Sequence, residues 1–369
     1  MVDDVVTVSK CGIKSVMSNS YVNACFEIMK LQLNKKKCKQ IHIGKHVNDC
    51  PNLHTTDGES IMIKENFDKY LGDIVSKDGK NTLNIKSRTA KAIGSISTIM
   101  NILNEVSFGK FHFEIATILR NSIFLSKLLL NAETWLNLSL TDIEELEKVD
   151  RMLLKRILET PDSTPNKGIY LETGSIPVRY IIKARRIMYL HYLLKRNKND
   201  LISKVFYSQI DMPVKNDFLS TVREDLEEFG MSNLTFEIIS KMSKNKFKEM
   251  VKKKCEECAF TFLTSEQKSK IENKNYVGLK LQDYLKNSSI PISLKKFIFK
   301  YRTKMIKVAK NFGKKDQCPL CYLEDDDQNH LAECYAITLN EENNTQIEDI
   351  ADIFSNDSSK IEKIGTHLY

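Results

Sequence analysis

No stretch of this 369-residue chain approaches the roughly 18 uninterrupted apolar residues that a membrane-spanning helix needs. A basic leader is missing too: the N-terminus, MVDDVVTVSK, opens on two acids where a secretory signal carries lysine or arginine. The expectation is a soluble intracellular protein of cytoplasm or nucleus, with no membrane partner. Ligand spacing is absent among the first four of its nine cysteines, Cys11, Cys25, Cys38 and Cys50, which read as reduced and packed. Apolar residues make up 41% and charged residues 28%, which excludes a disordered composition.

What the chain does have is charge asymmetry within a net +8. Residues 183–312 hold 28 Lys+Arg against 14 Asp+Glu, whereas residues 324–363 hold 12 acids against two lysines. A basic block of that size is either a phosphate-binding surface or a solvated lysine-rich face. Arg185, Arg186, Lys252, Lys253, Lys254, Lys295, Lys296 and Arg302 are its candidate nucleic-acid contacts. In LKKFIFKYRTKMIKVAKNF, Phe297, Phe299 and Tyr301 alternate with basic residues. That pattern suits base stacking, and it equally suits an amphipathic core helix.

The first 80 residues alternate short apolar runs with turns. Val5–Val8, Ile41–Ile43 and Ile61–Ile63 read as strands, and 16–33 reads as a helix. A strand through Tyr70, Leu71 and Gly72 is expected to turn at Asp78-Gly79. Beyond Asn81 the pattern is helical. Apolar stripes mark helices near 83–103, 114–135 and 141–158, the last with a Thr141/Glu144 capping box. A long helix follows from Val178 to Arg196. Cys255 and Cys258 form a CxxC in a helical, charged setting and read as unliganded.

Near the C-terminus the spacing sharpens. Cys318 and Cys321 form a CxxC, His330 follows after eight residues and Cys334 after three more. Zinc takes four sulfur or nitrogen ligands in a tetrahedron, and a CxxC turn supplies two. His330 and Cys334, four apart, would share one helix face. Four protein ligands leave no open position, so such a zinc would be structural. The apolar residues nearby are few: Leu320, Tyr322, Leu331 and Ala332.

Asp3 and Asp4 are adjacent carboxylates before a β-branched run. Alone they read as surface acids; in a tight turn such a pair can hold divalent metal for nucleotidyl transfer. Taken in order, MVDDVVTVSKCG, LQLNKKKCKQIHIGK, FDKYLGDIVSKDGKNTLNIKSR, ILRNSIFLSKLLLNAETW, TPNKGIYLETGSIPVRYIIKARRIMYLHYLL and CPLC…QNHLAEC resemble the reverse transcriptases of non-LTR (LINE-class) retrotransposons. The resemblance runs over nearly the whole chain.

It implies a mainly α fold with a small α+β remnant. The palm remnant is 1–80, a helical thumb 81–160, a basic helical region 161–312, a CCHC zinc module 313–336 and an acidic tail 337–369. Asp3 and Asp4 match the catalytic turn, whose aromatic position is Met1 here. Lys37 matches a lysine near the triphosphate, and Tyr70, Leu71 and Gly72 match the primer grip. The family uses Mg²⁺, an RNA template and a DNA primer or target. Nothing in these 369 residues matches the segment bearing the third metal-binding carboxylate. The expectation is therefore a truncated RNA-directed DNA polymerase that binds nucleic acid without polymerising alone. A host-adopted nucleic-acid-binding zinc protein and a non-functional fragment are the alternatives.

Overall fold

The computed structural model describes residues 6–9, 12–31, 34, 37–43, 51–55, 57–64, 66–105, 111–265 and 276–334. The chain is mainly helical and divides into two compact units, Met1–Ser87 and Arg88–Tyr369. No helix among the described residues is long and apolar enough to cross a membrane.

In the first unit, helix α1 (Gly12–Ile28) precedes two short sheets. Strand β1 (Lys39–Ile41) pairs in parallel with β2 (Met62–Lys64), joining the two runs expected to be strands. Val6–Ser9 carries no strand. Strands β3 (Phe67–Tyr70) and β4 (Asp73–Ser76) form an antiparallel hairpin with Tyr70 opposite Asp73. Its turn is Leu71-Gly72, not Asp78-Gly79. Both turn residues have positive φ, 44° and 90°, the conformation whose twist matches a two-residue hairpin. Asp78-Gly79 instead makes the turn into α2, where Ser76 Oγ donates to Asp78 Oδ1 (2.6 Å) and to Lys80 O (2.9 Å).

The division between the units falls within α2 (Thr82–Glu105). The second unit continues through α3 (His112–Leu119), a π turn at Arg120–Phe124 and α4 (Leu125–Leu128), the segment that reads as one helix in sequence. Helix α5 (Leu140–Leu158) opens on a capping box of Ser139 and Asp142, not Thr141 and Glu144. The register is set by Ser139, whose extended backbone puts its hydroxyl 3.1 Å from the Asp142 N–H. Then come α6 (Asn166–Thr173), α7 (Val178–Lys195), α8 (Leu201–Asp211), α9 (Phe218–Glu228), α10 (Phe236–Lys241) and α11 (Lys244–Thr264). The last are α12 (Asp283–Lys286), α13 (Ile292–Arg302) and α14 (Gln328–Glu333). The regions expected to be basic region and zinc module lie in the unit from Arg88 onward, whereas the region expected to be the thumb, 81–160, is divided, with 81–87 in the first unit.

Helix α7 is its central strut, packed against α5, α8, α9, α10 and α11. Ile187, Leu190 and Leu193 are buried there with Phe206, Leu219, Val222, Phe247 and Val251. Among the described residues, three buried arginine–carboxylate pairs tie helices far apart in sequence. Arg120 reaches both oxygens of Asp150 (2.8 and 2.7 Å), Arg186 both of Asp225 (2.6 and 2.9 Å), and Arg302 reaches Glu172 (2.8 Å). The Glu172 node is closed by the hydroxyls of Tyr284 (3.0 Å) and Tyr276. Gly174 ends α6 beside it at φ +62°, with the backbone of Lys280 and Leu281 where a Cβ would sit. Only glycine satisfies both demands.

Candidate metal centre and basic surface

The CxxC segment folds back on itself through backbone pairing. Gln317 bridges Asp325, Cys318 N–H donates to Glu324 O (2.7 Å) and Tyr322 N–H to Cys318 O (2.8 Å). Tyr322 takes a left-handed conformation (φ 58°) to close the turn. These bonds place Cys318 and Cys321 facing α14. Asp327 caps that helix by accepting from His330 N–H (2.8 Å), which fixes where the histidine emerges. Cys334 is not helical: it is the C-cap, with ψ 116°. The chain turns out of the helix there, and its sulfur still converges on the others.

One donor atom from each of Cys318, Cys321, His330 and Cys334 lies within 4.8 Å of every other. Cys318 Sγ and Cys334 Sγ are 3.9 Å apart, and Cys321 Sγ and His330 Nε2 are 3.2 Å apart. A zinc tetrahedron with Zn–S of about 2.3 Å and Zn–N of about 2.0 Å has edges of roughly 3.5–3.8 Å. The donor set fits a metal of this class. Glu324 Oε2 sits 3.0 Å from His330 Nδ1, so it accepts that N–H and leaves Nε2 as the ligand atom.

The electrostatics favour thiolate. Backbone N–H groups of Leu323 and then Glu324 point at Cys321 and, with His330 and Cys318 beside it, bring its pKa down to about 6 despite burial. Burial alone would lower His330, but its contacts with Cys318 and Cys321 outweigh that and raise it. The three cysteines are the buried cluster of this module, whereas Leu320 and Tyr322, expected to supply its apolar contribution, are exposed. The side chains of Leu331 and Ala332 lie outside the described set.

Four consecutive acids, Glu324–Asp327, lie between the CxxC and α14. Each of these acids except Asp325 has a defined task. Glu324 orients the histidine and Asp327 caps α14. Asp326 Oδ2 accepts from Ala309 N–H (2.6 Å), tying the module to the preceding chain. Gln328 adds a second anchor by donating to Tyr301 O (3.0 Å). An aspartate three residues before His330 was the readable signal for the cap.

The basic candidates separate by burial. Arg186 and Arg302 are buried in the ion pairs above, and Lys295 is fully buried on α13. These three present no charge at a surface, which corrects their reading as nucleic-acid contacts. Phe299 and Tyr301 are likewise core residues. Half-buried Arg185 donates to Leu129 O, and Lys296 pairs with Glu159 (2.7 Å). Lys252, Lys253 and Lys254 lie on α11; the first two are exposed, and Lys254 bonds Glu257 (2.8 Å). Cys255, on the same helix, is buried with its pKa pushed up to about 12 by burial, and Cys258 Sγ bonds Glu228 O (3.3 Å). Neither has a metal-ligand partner among the described residues.

In the first unit, Lys37 follows a turn in which its N–H donates to Asn34 O (2.9 Å). Tyr70, Leu71 and Gly72 form the hairpin tip, with Leu71 exposed. Asp3, Asp4 and the acidic tail lie outside the described residues. Comparison with protein-family models, curated proteins and solved structures found no match.

Proposed function

We propose that this chain is the nucleic-acid-binding C-terminal portion of a non-LTR retrotransposon reverse transcriptase, carrying one structural zinc. The ordered series of family-like segments supports the reading. Its last member supplies four ligand atoms within 4.8 Å of one another, and that convergence is the observation that carries it. In this reading Lys37 and the Tyr70-Leu71-Gly72 tip belong to the palm remnant, with Asp3 and Asp4 as its metal-binding pair with Mg²⁺. The partners are RNA template and DNA primer or target. Exposed lysines such as Lys252 and Lys253 supply sequence-independent phosphate attraction. The zinc holds the module at the end of the helical unit.

Anisotropy of a labelled 12-nucleotide RNA with the zinc-loaded chain, over a salt series, tests this. Each phosphate contact contributes a slope of about −0.7 in log K against log salt. Binding with a slope of roughly −3 is expected, and no salt-dependent binding at low salt would overturn the reading. In a primer-extension assay with Mg²⁺ and dNTPs this polypeptide is expected to add no nucleotide, because two-metal chemistry needs a further carboxylate. Extension abolished by Asp3→Ala would refute that.

A further inference from the structure

Where α7 ends and α8 begins, a chain of rings runs from the surface through the core and back out. Tyr192 stacks on Tyr189 with centroids 5.7 Å apart and planes 20° apart. Tyr189 meets Phe218 edge-on at 5.6 Å, Phe218 meets Phe206 at 6.4 Å, and Phe206 meets Tyr207 at 5.3 Å. Phe206 and Phe218 are buried and fix the geometry, whereas Tyr192 is 45% exposed. Each outer ring is covered by a cation. Arg196 lies 5.2 Å over Tyr192 and also bonds its hydroxyl, and Lys198 lies 5.4 Å over Tyr207. Exposed Lys195 adds a third positive charge, and Arg196 pairs with Asp200 (2.8 Å) across an open surface.

We propose that this ring-and-cation platform is a single-strand subsite in which an unpaired base stacks on Tyr192 while Lys195, Arg196 and Lys198 take the flanking phosphates. The inference rests on the nucleic-acid reading above and names where that binding discriminates single strand from duplex. A core needs neither an exposed tyrosine stacked on a second one nor a cation over each surfacing ring. Nucleic acid uses both, since every base has a π-face and every linkage a charge. Exposed ion pairs are weak, so an incoming base can displace Arg196 from over the ring and redirect it to a phosphate. An acidic peptide would use the three cations and leave the ring idle.

The experiment uses the full zinc-loaded chain and a 12-nucleotide single-stranded RNA with 2-aminopurine at its centre, beside a duplex of the same sequence and a poly-glutamate competitor. Single-strand affinity is expected to fall about tenfold in Tyr192→Leu with the salt slope unchanged, as loss of one base–aromatic stack predicts. Duplex affinity should stay the same, Tyr192→Phe should bind as the parent, and 2-aminopurine should be quenched by the parent and not by Tyr192→Leu. Tyr192 is half out of the core, so an unchanged melting temperature certifies the fold. Single-strand binding by the parent that is untouched in Tyr192→Leu would overturn the platform and leave the wider reading standing. Equal losses for single strand and duplex, or stronger competition by poly-glutamate than by single strand at equal charge, would also overturn it. Absence of binding in the parent would sink both.

Discussion

Replacing Arg302 with alanine separates its two readings, phosphate contact and core strut. The guanidinium is buried against Glu172, with Tyr284 on the same carboxylate and both tyrosine rings beneath it at 5.7 and 5.5 Å. Removing it leaves a buried carboxylate with two hydroxyl donors and no counter-charge. Breaking a buried pair in this way costs about 3–5 kcal/mol, a large part of a stability on the order of 5–15 kcal/mol. The chain's one tryptophan, Trp135, is buried in the same unit and reports its unfolding. With a urea m-value of roughly 3 kcal/mol/M, the midpoint should fall by about 1–1.7 M. Arg302→Lys keeps the charge but loses the planar fork and should recover only part. Arg302→Met with Glu172→Gln should recover more than Arg302→Ala, since no uncompensated charge remains. A midpoint shift below about 0.3 M, accompanied by weakened RNA binding, would refute the strut and restore the surface reading.

Two further substitutions probe the same unit. Gly174→Ala forces a side chain against the Lys280–Leu281 backbone at positive φ, so a loss of roughly 2 kcal/mol or more is expected in urea unfolding; a loss under about 0.5 kcal/mol would show that the segment yields freely. His112 is buried near Lys296 and Lys295, and burial first, then those charges, push its pKa down from 6.5 to about 4. Between these values the unfolded chain binds the proton and the folded chain does not. Stability should therefore fall as pH drops from 6.5 toward 4, by about 1–3 kcal/mol, and the effect should be absent above 6.5. His112→Gln should flatten that part of the pH–stability curve, and an unchanged slope would remove His112 as its cause.

The helices were legible because burial imposes a stripe on them. Leu146, Val149, Leu153 and Ile157 recur at helical spacing on α5 and are buried there. The four candidate metal ligands were legible because all fall within a short segment, where spacing alone constrains geometry. Other features depend on contacts that sequence does not display. Arg186 and Arg302 read as surface cations until their carboxylates appear, 39 and 130 residues away. Phe299 and Tyr301 showed the alternation that suits stacking, yet they pack inward on α13. The hairpin turn was misplaced because Asp-Gly is the stronger local signal, whereas the strand pairing puts the positive-φ positions at Leu71 and Gly72. Glu324 was unreadable as a histidine partner because loop closure, not periodicity, brings it there.

The account turns on one metal held by Cys318, Cys321, His330 and Cys334 at the end of the helical unit. Metal content by elemental mass spectrometry on the full chain, on Cys321→Ser and on Cys255→Ser tests it most directly. The prediction is one zinc per chain in the parent and in Cys255→Ser, and near none in Cys321→Ser. Chelation should expose the Gln317–Cys334 segment to protease, because thiolate ligation replaces an apolar core there, while the Trp135 signal stays native. Equal zinc in the parent and Cys321→Ser, or zinc lost on Cys255→Ser, would contradict it.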